Sequence, residues 1–114
     1  MMNGNALCPG LGDYLIAQAR NNHWSNNRLH SACLRLSATE YYQNRPSFFG
    51  SIQIHLDHIV FVDWLYLERL TGKQYLPADV GEELHSELAP LVEDQVRADR
   101  ALIKYCEAAK PETL

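Results

Sequence analysis

The chain has 114 residues and a mass of 13.0 kDa, with 46% hydrophobic residues, 21% charged residues and a formal net charge of −4. That apolar content excludes general disorder, and a chain of this length suits one domain that buries roughly 65% of its unfolded surface. No run of like charge exceeds two residues, so an extended phosphate-binding face is not expected, and nucleic acid is not an expected partner.

Residues 1–12 (MMNGNALCPGLG) carry neither the basic start nor the apolar stretch of a secretory signal. The most apolar run, Ile59 to Val62, is cut by Asp63, far short of the ~20 residues that span a bilayer. Cys8, Cys33 and Cys106 form no C-x-x-C pair, and their odd number suits reduced thiols. These features predict a cytoplasmic chain with no membrane partner.

Leu15, Ala19, Asn22, Asn26, Leu29, Cys33 and Leu36 follow a 4-3-4-3-4-3 spacing. This is one seam of a long helix over about residues 11–36, widened by Leu11 and Tyr14. Ser37 and Glu40 form an S-x-x-E box that starts a short helical turn through Tyr42. Pro46 or Ser47 then opens a second long helix that runs to about Leu70, with Gly72 placed to end it. Its expected inner stripe is Ile52, Leu56, Ile59, Tyr66 and Leu70, widened by Val62 and Leu65, with Phe61, Trp64 and Leu67 partly off it. Residues 71–82 (TGKQYLPADVGE) read as a connection, in which Asp79 and Glu82 offer a second capping signal. A third long helix follows over about 90–109, with Pro90 in its first turn and Pro111 beyond its end. Its expected inner positions are Val92, Val96, Asp99, Ile103 and Cys106, beside Leu102.

No strand signal, internal repeat or phosphate-binding glycine loop occurs, so the expected class is all-α, a four-helix-bundle type of up-down-down-up connection. Only three helices are long, so the fourth helix of that bundle is expected to be absent from this chain. The wide apolar surface of residues 51–70 would then lie open. A homodimer or higher homo-oligomer is the expected way to cover it.

Asn22 and Asn26 on the first helix, and His55, His58 and Asp63 on the second, fall at mid-length seam positions. Two readings stay open: a satisfied polar network that sets helix register, or a metal site built on imidazole. His55 and His58, at i and i+3, occupy adjacent sides of the helix. Asp63 lies five residues after His58, turned away by about 140°, and reads as a structural acceptor. His23, His30 and His85 read as solvated, and Trp24 and Trp64 as packing or interface residues.

Residues 18–29 (QARNNHWSNNRL) and 48–70 (FFGSIQIHLDHIVFVDWLYLERL) carry two further motifs. The first is an N-x-x-W-like segment followed by an Asn, here Asn22, Trp24 and Asn26. The second is Ser51-Ile52, Asp57-His58, Asp63, Tyr66 and Leu67-Glu68-Arg69-Leu70. In both, over most of residues 10–108, the chain resembles the DinB family of damage-inducible-type bacterial four-helix metalloproteins. The resemblance implies a divalent metal, zinc or nickel, held by three histidines. The first falls on His58, and the other two belong to an H-x-x-x-H segment of a fourth helix that lies beyond residue 114. Asp57 stands where the family has Asn, and His55 where it has a small hydroxyl residue. The implied activities are thiol-dependent transfer and isomerisation. Within that frame His58 is the first candidate ligand, His55 the second, and Asn22, Asn26 and Asp63 are supporting groups. The alternative is a non-catalytic dimeric helical module without the metal centre.

Overall fold

The computed structural model describes residues 10–46, 50–81 and 83–109. Among them are four helices and no strand: α1 (Leu11–Cys33), α2 (Ala38–Tyr42), α3 (Ile52–Thr71) and α4 (Leu88–Ala108). The all-α expectation holds. The expectation of a missing fourth helix is not matched, because the short segment after α1 is a helix in its own right. A complete capping box makes it one. Glu40 N donates to Ser37 Oγ at 3.1 Å, and Ser37 N donates to Glu40 Oε1 at 2.9 Å.

The start of α3 also differs from expectation. Ser51, and not Pro46, is its N-cap, since the Ser51 hydroxyl accepts from Ile54 N at 3.1 Å, while Ser47 lies outside the described residues. Its end is where the sequence puts it: Gly72 takes the left-handed conformation (φ 74°) and its N–H donates to Glu68 O. The Glu68 carboxylate then accepts from Tyr75 N and Leu76 N, folding the connection back so that Leu76 enters the core. Glu82 and Pro111, expected as a capping and a terminating residue, lie outside the described residues, as does Cys8.

Helix α4 packs along both α1 and α3, whereas α1 and α3 barely meet. The result is a groove between the two outer helices with α4 as its floor. One core cluster joins Val60, Trp64 and Leu67 of α3 to Leu76 and Ala98; the other joins Cys33, Tyr41, Leu56 and Leu91. The buried side of α3 is therefore rotated from the expected stripe. Trp64 and Leu67 are core, while Tyr66 is 59% and Leu70 49% exposed. Polar partners explain the rotation: Gln53 and Asp57 are buried against the α3–α4 connection, and Trp64 Nε1 needs the acceptor that Asp94 provides. On α4 the buried positions are Leu91, Asp94, Gln95, Ala98, Asp99 and Cys106. Val92, Val96 and Ile103 are only half-buried. No helix among the described residues is long and apolar enough to cross a membrane.

Candidate functional site

The polar residues of the groove converge on Asp99 of α4, which is 1% exposed. Its Oδ1 accepts from Asn26 Nδ2 at 3.0 Å and from Gln95 Nε2 at 2.9 Å, with Asn22 Nδ2 at the edge of bonding distance, 3.5 Å. Its Oδ2 pairs with His23 Nδ1 at 3.0 Å. The same Gln95 amide donates to Asp63 Oδ2 at 2.8 Å, which ties α3 into the node. Burial pushes the Asp63 carboxyl up from its ordinary pKa, and the nearby Asp99 charge adds to this, against the Gln95 hydrogen bond.

Asn22, Asn26 and Asp63 are thus brought together around the Asp99 carboxylate, which also pairs with the His23 imidazole. Gln95 and His23 escape the sequence reading because neither lies on an apolar seam. Asp99 is visible in it as an inner position of its helix.

The second node is centred on Asp94. Its Oδ1 accepts from Trp64 Nε1 at 3.0 Å and Arg97 at 2.9 Å, and its Oδ2 pairs with His85 Nε2 at 2.7 Å. His85 is held there because the buried Asp57 carboxylate accepts from Leu84 N and His85 N, both at 2.7 Å. Of the three histidines expected on the solvated surface, none is. His23 and His85 are bound to carboxylates, and His30 is 4% exposed. For His23 and His85 the reason is that α4 and its neighbours meet across the Asp99 and Asp94 carboxylates. Trp24 is 57% exposed, with the Arg28 guanidinium over its ring. Cys33 and Cys106 are free and buried, and burial raises both thiols, so neither is a ready nucleophile.

Burial lowers the pKa of His30, with the Asp99 charge opposing, and its Nδ1 has no partner. The unfolded chain therefore protonates His30 at a higher pH than the folded chain does. This contribution to stability is complete above about pH 6.5, the unfolded value, and is lost as pH falls below it. In urea titrations from about pH 7 to 5 we expect His30→Gln to lose less stability than the parent chain. Parallel pH profiles would remove His30 as the cause.

His55 and His58 occupy exposed positions of α3. His55 lines a cavity of about 360 Å³ with Leu29, Arg45, Ser51, Ile52, Leu56 and Ile59. Further along the groove a cavity of about 190 Å³ opens beside Asn22, Asp63, Tyr66, Leu70 and Asp99. Arg45 donates to Glu40 O at 3.2 Å, but its Nε is buried without an acceptor, a mismatch worth about 1–3 kcal/mol. Among the described residues no three His, Cys, Asp or Glu side chains are grouped so that they could hold a metal ion.

No curated protein and no solved structure matches the chain. The family model described as "DinB family" matches residues 2–113. The helices and motif residues described above fall inside that span, and the chain belongs to the DinB family.

Proposed function

We propose that the chain is a divalent-metal-binding protein related to the thiol-dependent transferases, with His58 as its first imidazole ligand and His55 one turn before it. The placement of His55 and His58 carries this reading: the two imidazoles stand one turn apart on exposed positions of one helix. Zinc or nickel suits imidazole donors.

Two imidazoles do not make the three-histidine centre that the family resemblance implies, and the described residues supply no third ligand. The donors present fit a weak site completed by water, and no reaction step follows from them. Asn22, Asn26 and Asp63 support such a site only indirectly, by fixing α1 and α3 to α4 through Asp99 and Gln95.

Cobalt titration of chelator-treated protein tests the reading. We expect saturable binding that weakens about tenfold or more in His58→Ala and on acidification through about pH 6, where imidazoles take up protons. A titration unchanged in His58→Ala removes the assignment.

A second reading, the non-catalytic module paired with another copy, is favoured by the apolar groove walls. Leu29 is 42%, Tyr66 59% and Leu70 49% exposed, more apolar surface along one groove than a monomer usually shows to water. It requires no metal uptake and a light-scattering mass of about twice 13.0 kDa.

A further inference from the structure

We infer that the cavity between the last turns of α1 and the first turns of α3 binds a small organic carboxylate with a short aliphatic tail. Four of its walls are apolar: Leu29 from α1 and Ile52, Leu56 and Ile59 from α3. Its polar side is basic. Arg45, whose guanidinium is permanently charged, lines it together with His55. An incoming carboxylate is attracted by that guanidinium charge at the cavity wall. The N-terminus of α3 opens on the same cavity through its cap Ser51, and no acidic side chain occupies the first turn of this 20-residue helix, so its positive end adds to the attraction for an anion. Glu40, whose charge interacts with Arg45, is exposed, and its Oε1 accepts from Ser37 N.

A volume of about 360 Å³ lies at the lower end of ligand pockets, enough for a chain of a few carbons. The apolar walls argue for a tail, and a single guanidinium argues for a monoanion over a phosphate. The inference rests on Arg45 and the cavity walls and not on the metal reading.

Calorimetric titration of the chelator-treated 114-residue chain with hexanoate tests it. Binding on the order of millimolar is expected, weaker for acetate and absent for hexylamine. Arg45→Gln should weaken hexanoate about tenfold to a hundredfold. Leu29→Glu, at an exposed wall position, places a like charge at the mouth and should weaken it too, which keeps the test open if Arg45→Gln does not fold. Equal affinity in the folded variants, or hexanol binding as well as hexanoate, overturns the proposal. His55 lines the cavity and also enters the metal reading, so hexanoate is titrated with metal removed and the metal reading is judged on His58→Ala, a position outside the cavity lining.

Discussion

Asp99→Ala is expected to destabilise the protein by about 3 kcal/mol or more, the cost of removing the acceptor from a buried hydrogen-bond network. The carboxylate is 1% exposed and accepts from Asn26 and Gln95 at 3.0 and 2.9 Å, with His23 at 3.0 Å on its other oxygen. Alanine leaves these donors facing one another in a space that water reaches poorly. Two of them sit on α1, so the loss also loosens the α1–α4 contact, the more extensive of the two long-helix interfaces. Asp99→Asn keeps one carbonyl oxygen and should cost less. Asn22→Ala should cost least, because its amide stands 3.5 Å away, at the limit of a hydrogen bond. Urea unfolding at neutral pH gives the order directly. A loss below about 1 kcal/mol for Asp99→Ala would show that the amides find other partners.

How far such a network can be read from sequence depends on which residues announce themselves. The helix ends did so where caps are local. Ser37 with Glu40 starts α2, and Gly72 ends α3, because each signal acts within four residues. The start of α3 was harder: the sequence offers Pro46 or Ser47 as its opener, and the bond from Ile54 N to the Ser51 hydroxyl, which sets the start, leaves no such local mark.

Which way each helix faces was less legible. An apolar stripe predicts the buried side only when the buried side is apolar. Here Gln53, Asp57, Asp94, Gln95 and Asp99 are all buried. Each is held by a donor or acceptor distant in sequence, and periodicity carries no trace of that pairing. The same blindness put His23, His30 and His85 on the surface. Asn22, Asn26 and Asp63 were visible because they interrupt an apolar seam. That they gather around Asp99 required the third dimension.

Asp57→Ala is expected to cost about 2–4 kcal/mol, although the residue touches no other side chain that the network singles out. Its carboxylate is 2% exposed and accepts from two consecutive backbone N–H groups, Leu84 and His85, both at 2.7 Å. Those bonds anchor the long connection onto α3. They also place the His85 ring, whose Nε2 reaches Asp94 at 2.7 Å, while Asp94 holds the Trp64 indole at 3.0 Å. Cutting the first link therefore frees the second, and Asp57→Ala should be non-additive with Asp94→Ala in a double-mutant cycle. Asp57→Asn restores the amide that the family resemblance places here. It offers only one acceptor oxygen and turns an NH2 toward a backbone donor, so a smaller loss of about 1–3 kcal/mol is expected. Hydrogen exchange at Leu84 and His85 locates the effect: both amides should lose protection in either variant, with the α1–α4 contact unchanged. Retained protection at those two amides would mean that the connection is held by other contacts. Since His58 follows Asp57 on α3, loosening this anchor should also lower cobalt affinity without removing any imidazole, if the rotation of α3 is what aims His58.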